Sequence, residues 1–375
     1  MNNHASIILV ILALLLPTTV TARTKLVALP DRENTWIRLD HPDITLIQEE
    51  RTLSLHKGIN QIDFSWKGVH IDPESIRISI LQHPQSTHLI NVSYPPNEQA
   101  LVWEIYSDRN QQEKIRISYL LSNIDRVITY EANSNHQESK LDLASYIVLR
   151  NFSGESFSPA TFQLDYGKGF EKSILDGETR RMLFLHIDEL DIKKIFTFNA
   201  GIHPWEPHKE STTVGIPVSY ELENVKSNKM GEHALWGGKA RIYQHDANKS
   251  TIFLGEDMAG FTPVGEKMSL HIGDSRDISV TQHKIKSERN NIRRNRDDHI
   301  VLYDIDEEIT INIENFKETA ANLKIVEPMQ GEWEIRKSSH NFNHISANEI
   351  EFELTIPAKG KSTVSYTYVR KNVRS

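Results

Sequence analysis

The segment Ile309-Thr310-Ile311-Asn312-Ile313 alternates isoleucine with polar residues along five positions. Side chains on a β-strand point alternately to opposite faces, so this segment predicts a strand with one face in a core and one in water. Similar alternation occurs at 75–80, 114–119 and 351–356, with Gly, Pro, Asn and Asp between the segments. Long amphipathic helix patterns are nearly absent. The sequence therefore predicts an all-β fold of tandem, Ig-like β-sandwich modules with little helix.

The composition excludes several kinds of chemistry. The chain has 375 residues, no Cys, and a net charge of −8 from 43 basic and 51 acidic side chains. Without Cys there is no disulfide, no Cys-ligated metal and no thiol nucleophile. This charge balance does not favour nucleic acid as a partner, and the length favours more than one domain. No cofactor is predicted.

The N-terminus has the pattern of an export signal. Residues 7–16 form an apolar run the size of a signal-peptide core, too short to span a bilayer of roughly 30 Å. Val20-Thr21-Ala22 supplies small residues for cleavage after Ala22. We therefore expect an exported protein, periplasmic or extracellular. No other stretch is apolar enough to predict a transmembrane anchor in the mature chain.

The boundaries between modules follow from turn residues and from one internal similarity. Asn151-Phe152 and Asn315-Phe316 each lie between two strand patterns. This similarity is explained either by a common hairpin type or by two related Ig-like modules. The pattern at 351–369 predicts a C-terminal hairpin around Pro357. The predicted segments are a signal peptide at 1–22, an N-terminal β module at 23–121, a middle β-sandwich module at 122–200, a proline-rich linker at 201–213 and a C-terminal β-sandwich module at 214–375.

The C-terminal part carries a resemblance to a known family. Gly238-Lys239-Ala240-Arg241, then Phe261-Thr262-Pro263-Val264-Gly265, then Gly331-Glu332-Trp333 follow each other in order. In this order the chain resembles the secreted bacterial family called domain of unknown function 4139, which includes mucoidy-inhibitor-A-like proteins. The resemblance implies β-sandwich modules and export, and it transfers no catalytic residue. We expect Gly238, Gly255 and Gly265 to lie in tight turns.

A basic run provides the candidate site for an anionic ligand. It lacks the interleaved aromatic residues that nucleic-acid binders use for stacking, so no nucleic-acid partner is predicted. A solvated hairpin or short helix is the alternative. The candidate residues are Lys284, Lys286, Arg289, Arg293, Arg294 and Arg296.

Three other clusters contain residue types that occur in metal or catalytic sites. Two prolines in the first prevent a helical face that would converge its ligands, so no metal site is predicted. The second is expected around a loop and the third ahead of a strand. Either could hold Ca²⁺ or act as a glycosidase pair, and solvated strand edges are the alternative. The clusters are His203, Glu206 and His208 with His233; His186, Asp188, Glu189 and Asp191; and Asp304, Asp306, Glu307 and Glu308.

Two functions remain open from the sequence. The favoured one is a non-enzymatic envelope or secreted protein that binds a protein or polysaccharide partner, because no catalytic set converges. The alternative is an extracytoplasmic glycan hydrolase using Asp188, Asp191 or Glu206. A deep cleft that gathers two of these three carboxylates and raises the pKa of one would favour the hydrolase, whereas flat, aromatic or apolar patches on sheet faces or edges would favour binding. Trp36, Trp66 and Trp205 are candidates for stacking on sugar rings.

Overall fold

The fold is almost entirely β. The computed structural model describes residues 25–41, 44–164, 169–202, 215–248 and 250–374. Within these ranges, 25 strands form five sheets, and helix is limited to two single-turn 3₁₀ segments, Pro73–Ser75 and Lys226–Asn228. The predicted all-β class is confirmed. The predicted signal peptide lies outside the described residues, as does the predicted linker apart from Gly201 and Ile202.

The strands are numbered in chain order. The first thirteen are β1 (Lys25–Val27), β2 (Asn34–Arg38), β3 (Thr45–Leu55), β4 (Gly58–Ser65), β5 (Arg77–Ile80), β6 (Thr87–Ser93), β7 (Ala100–Ser107), β8 (Gln111–Leu121), β9 (Ile124–Ser134), β10 (Lys140–Asn151), β11 (Phe157–Gln163), β12 (Phe170–Ile174) and β13 (Thr179–Asp191). The others are β14 (Lys193–Asn199), β15 (Ile216–Glu223), β16 (Gly238–His245), β17 (Thr251–Ala259), β18 (Lys267–Ser275), β19 (Ile278–Arg294), β20 (Ile300–Asn315), β21 (Ala321–Pro328), β22 (Glu332–Ser338), β23 (Asn343–Ser346), β24 (Glu349–Ile356) and β25 (Lys361–Arg374).

The chain divides into two compact units. The first comprises the residues up to Arg126 together with Leu149–Arg180, and the second comprises Val127–Val148 and everything from Arg181 onwards. These limits fall within the long strands β9, β10 and β13. They differ from the predicted module limits at residues 121 and 200, and the three-module division stays a prediction.

The first unit contains a β-sandwich. One sheet has the order β1-β4-β7-β6 and the other β12-β11-β2-β3-β8-β5. The Phe64 ring of the first sheet lies 5.9 Å from the Tyr119 ring of the second and 5.4 Å from that of Trp103. These large side chains are buried, so the two sheets share a core that stabilises the unit by removing apolar surface from water.

The second unit contains another sandwich and a further sheet. The sandwich pairs the sheet β18-β15-β14-β21-β24-β23 with the sheet β19-β20-β25-β22, and Phe352 and Tyr366 meet across its core at 5.7 Å. The further sheet has the order β13-β10-β9-β16-β17. Strands β24 and β25 belong to different sheets of the sandwich. The predicted C-terminal hairpin is therefore wrong, because the turn at Pro357 joins two sheets.

The same set of strand pairings occurs twice along the chain. In the first copy, β2 pairs with β3 and in parallel with β11, β3 pairs with β8, and β11 pairs with β12. In the second copy, β14 pairs with β15 and in parallel with β21, β15 pairs with β18, and β21 pairs with β24. The order β13-β10-β9 likewise matches β25-β20-β19. The internal similarity therefore extends over eight strands and favours two related modules.

Each copy contains the same buried asparagine. Asn151 ends β10 and Asn315 ends β20, and both side chains are buried. In each, the Nδ2 group donates to the carbonyl four residues further on, and Oδ1 accepts from the amide two residues further on. Buried backbone amides and carbonyls need hydrogen-bond partners. Where the strand ends, the asparagine side chain supplies the partners that a neighbouring strand supplies elsewhere.

We expect Asn315→Ala to lower the free energy of unfolding by about 2–3 kcal/mol, because three carbonyls and one amide lose their partner. Urea denaturation of the purified chain measures this change. The matched control is Asn312→Ala on the exposed face of the same strand, expected to cost less than about 0.5 kcal/mol. Equal losses in the two variants would contradict the assigned role of Asn315.

The glycines of the family-like segment have three different roles. A Cβ on Gly238 would lie 2.3 Å from the Ile128 carbonyl oxygen, so this residue permits the close approach of β16 to β9. Gly255 lies in β17 beside a β-bulge, and Gly265 has a φ of +91° in a turn. The expectation of tight turns is therefore right for Gly265 and wrong for Gly238 and Gly255.

Candidate binding surface

The predicted basic run lies on the hairpin formed by β19 and β20. Residues 284–308 carry six cations and seven acids, so the hairpin has no excess of positive charge. Arg296 is exposed at the turn, and the other five cations have partners on the hairpin itself. These pairs are Lys284–Glu307 at 2.5 Å, Lys286–Glu288 at 2.8 Å, Arg293–Asp304 at 2.9 Å, Arg294–Asp298 at 3.6 Å and the Arg289 guanidinium over the Tyr303 ring at 4.4 Å.

The acidic cluster around Asp304 forms the opposite strand of that hairpin. It lies within β20 and not ahead of a strand, which corrects the prediction. Lys286 stands opposite Glu308, and the hydrogen bond that Lys286 donates to Glu288 raises the pKa of this lysine. A hydrogen bond from Asn291 lowers the pKa of Asp304. The two predicted clusters therefore neutralise each other, and an anionic ligand would have to displace existing ion pairs.

The cluster around Asp188 lies on β13, where the sequence predicted a loop. His186 pairs with Asp188 at 2.9 Å and Lys140 with Asp191 at 2.5 Å. The Asp188 and Asp191 side chains are 66% and 74% exposed, on an outer strand of its sheet. These two carboxylates are solvated and separately paired, which is unlike the pair in a cleft that a glycoside hydrolase requires. The third carboxylate, Glu206, lies outside the described residues.

The remaining candidate residues form neither a metal site nor a sugar platform in the part of the chain that the structure describes. His203, Trp205 and His208 lie outside the described residues, and in the described ranges no group of three or more His, Asp or Glu is placed to hold a metal ion. Trp66 is buried beside Phe64, so its predicted stacking on sugar is wrong. Trp36 is half-buried under the Arg116 guanidinium, 5.5 Å from the ring.

An exposed apolar strand, missed by the sequence analysis, lies at the edge of the first sandwich. Strand β6 pairs only with β7, and its other backbone edge faces away from the sheet. Leu89, Ile90 and Val92 on this strand are 42%, 53% and 36% exposed, and Tyr94 just beyond it is 53% exposed. We call these four residues with their backbone the β6 edge.

The β6 edge lacks the charges that protect most edge strands. Natural proteins discourage strand addition with Lys, Glu or Pro on edges. Of the ten edge strands among the described residues, only β6 and the four-residue β23 contain no Asp, Glu, Lys or Arg. The sequence signal for this edge is therefore the absence of charged residues at 87–97. The alternation of apolar and polar residues did not distinguish this segment from other strands.

The neighbouring structure fixes this edge in place. The loop from β5 to β6 is fastened by Glu113, a buried carboxylate on β8 that accepts from the Gln82 and His83 amides at 2.8 and 3.0 Å. His83 Nδ1 also contacts this carboxylate at 3.0 Å. On β5, an edge strand of the other sheet, Ile78 and Ile80 are partly buried. The loop that leads into β6 is therefore fastened to β8 of the other sheet.

No protein-family model matches this chain, and no curated protein sequence matches it. Among the described residues, no helix is long and apolar enough to cross a membrane.

Proposed function

We propose that this protein is an exported, non-enzymatic cell-envelope or secreted protein that binds a partner protein by strand addition at the β6 edge. The observation that carries the proposal is an uncharged edge strand with three exposed apolar residues, followed directly by the exposed Tyr94. The pattern at residues 1–22 supports export.

The chemistry of the edge indicates the kind of partner. A free strand edge offers a row of unpaired amides and carbonyls, which an extended peptide satisfies with main-chain hydrogen bonds. Leu89 and Val92 offer apolar contact and no hydrogen-bonding group, which suits aliphatic or aromatic side chains of a protein better than a polysaccharide. The partner segment is therefore extended, largely uncharged and rich in β-branched or aromatic residues.

The family resemblance remains part of the proposal. We infer membership of the domain of unknown function 4139 family from the order of its motif residues. The role of Gly238 supports this inference, because a residue with no space for a Cβ is a determinant of the fold. The turn at Gly265, with its positive φ, supports it as well.

Site-specific photo-cross-linking in cells tests the function. A photoreactive residue at Ile90 of the full exported chain is expected to give a discrete cross-linked protein, and Val92→Lys in the same chain to remove it. A photoreactive residue at Leu183, an exposed position on β13, is the matched control and is expected to give none. Cross-linking that is equal at both positions, or unchanged by Val92→Lys, would refute strand addition at β6.

A further inference from the structure

The interior of the second sandwich changes from apolar to polar at one level. On β20 the inward residues Ile311 and Ile309 are followed by Glu307, and on β21 the inward residue Ile325 is followed by Glu327. The same change occurs on β19, from Val280 to Gln282 and Lys284, and on β25, from Val364 to Tyr366, Tyr368 and Arg370. Four strands therefore place polar groups together at one end of the hydrophobic core, of which Tyr366 and Tyr368 are also part.

These groups line a cleft of about 570 Å³, which lies within the range of small-ligand sites. Its polar lining includes Gln282, Lys284, Glu307, Glu327, Tyr368 and Arg370. We call it the Glu327 cleft.

Glu327 is the deepest carboxyl group of the cleft and is 2% exposed. Its Oε2 accepts from the Tyr366 hydroxyl at 2.8 Å and from Gln282 Nε2 at 2.7 Å. Its Oε1 is buried with no hydrogen-bond partner among the described residues. Burial raises the pKa of Glu327 to about 7, so the group is protonated in mildly acidic solution. Because Oε2 already accepts two hydrogen bonds, the proton belongs on Oε1, which has no partner to donate to among the described residues.

Glu307 is held in the opposite ionisation state. Burial opposes its ionisation, but hydrogen bonds from Lys284 and Tyr368 outweigh burial and lower its pKa. The carboxylate is thus an acceptor. Arg370 also lines this cleft, and its Nε is a buried donor with no hydrogen-bond partner among the described residues. The cleft offers a donor from Glu327, an acceptor from Glu307 and a further donor from Arg370.

Two neighbouring inward residues of β25 hold the two carboxyl groups. The Tyr366 hydroxyl donates to Glu327 and the Tyr368 hydroxyl donates to Glu307, and the two tyrosine rings are 5.9 Å apart. Each sugar hydroxyl both donates and accepts, so it matches a lining that presents both kinds of group.

The position in the first copy that corresponds to Glu307 carries no carboxylate. Glu307 lies eight residues before Asn315, and Leu143 lies eight residues before Asn151 with a fully buried side chain. A buried carboxylate costs desolvation energy that a leucine avoids. The fold therefore does not require a carboxylate at the position of Glu307.

We propose that the Glu327 cleft binds a saccharide, with Glu327 donating to a ligand oxygen and Glu307 accepting from a hydroxyl. This site is separate from the β6 edge and independent of the proposed strand addition. Affinity is expected to fall as pH rises through 7, because Glu327 then loses the proton it donates and its negative charge adds to that of Glu307.

Isothermal titration calorimetry of the mature chain tests the proposal. The probes are cellohexaose, chitohexaose, maltohexaose and an oligoglucuronate, each at pH 5.5 and 8.5. We expect at least one to bind at pH 5.5 and to bind about tenfold or more weakly at pH 8.5. Glu327→Leu is expected to weaken binding at pH 5.5 by a similar factor, and Glu327→Gln to retain binding without the pH dependence. Binding of the oligoglucuronate alone would identify Arg370 as the partner of a sugar carboxylate.

Two control variants show whether saccharide binding depends on this cleft. Asp191→Asn changes an exposed carboxylate outside the cleft and is expected to leave saccharide affinity unchanged. Val92→Lys is expected to abolish cross-linking from the photoreactive residue at Ile90 without changing saccharide affinity, so the two proposals fail or stand separately. Failure of all four probes to bind at pH 5.5, or equal affinity in wild type and Glu327→Leu, would overturn the saccharide site.

Discussion

Glu327→Gln is expected to raise the free energy of unfolding at pH 8.5 by about 3 kcal/mol and to change it little at pH 4. The pKa of Glu327 is about 7 in the folded chain, against an ordinary value of 4.5. Between these two values the unfolded chain has lost the proton that the folded chain retains, so wild-type stability falls as pH rises. The stabilisation from Glu327 is complete below pH 4.5 and lost above pH 7. Glutamine stays neutral and avoids this loss.

Urea unfolding of wild type and Glu327→Gln at pH 4, 6 and 8.5 measures the effect. The difference between the two proteins isolates Glu327, because the other titrating groups are common to both. Glu334→Gln is a useful control, because a hydrogen bond from Lys371 lowers the pKa of the exposed Glu334 carboxyl. The contribution of Glu334 to stability therefore changes with pH in the opposite direction to that of Glu327. A difference that stays constant from pH 4 to 8.5 would show that Glu327 is not protonated in the fold.

Gly154→Ala is expected to destabilise the chain by about 3–4 kcal/mol, whereas Gly177→Ala is expected to cost only about 1 kcal/mol. Both glycines have a positive φ, +86° and +77°, which L-residues adopt at a cost. A Cβ on Gly154 would also lie 2.0 Å from the Gly68 carbonyl oxygen, whereas one on Gly177 would meet no atom within 4 Å. The loop after Asn151 would then have to move away from Gly68.

The comparison of these two variants isolates the steric clash from the backbone preference, because only the clash differs between them. Urea unfolding gives both values under the same conditions. If the two substitutions lower the free energy of unfolding equally, the loop at Gly154 accommodates a Cβ without cost. The proximity of the Gly68 carbonyl oxygen would then not be the reason for glycine at this position.

The class of fold was predictable because strand periodicity is a local property. The alternation around Ile311 correctly indicates one buried and one exposed face. The partner of a strand is not local. The segments either side of Pro357 have the same alternation whether they pair with each other or join different sheets, so the C-terminal hairpin could not be distinguished from a sheet-to-sheet connection.

The polar cleft was not predictable from charges grouped by adjacency along the chain. Asp306, Glu307 and Glu308 form one cluster in sequence, yet only Glu307 shares the inward face with Ile309 and Ile311. Glu327 has no acidic neighbour and belongs to no such cluster. The sequence signal for the cleft is a charged residue at a position where the strand alternation predicts a buried apolar side chain. Its consequence depends on the meeting of four strands, β19, β20, β21 and β25, which no local pattern shows.

The repeated strand order has a consequence for how the cleft could have arisen. If an ancestral gene duplicated, each of the two copies inherited the sequence pattern that specifies the fold. Mutations inside one copy could then accumulate without disturbing the interior of the other. Leu143 and Glu307 would then descend from one ancestral position. Leu143 contributes to the hydrophobic core, whereas Glu307 lines the proposed saccharide site. The chain thus contains two copies of one strand arrangement. The second copy has the Glu327 cleft, and the first has a leucine at the position that corresponds to Glu307.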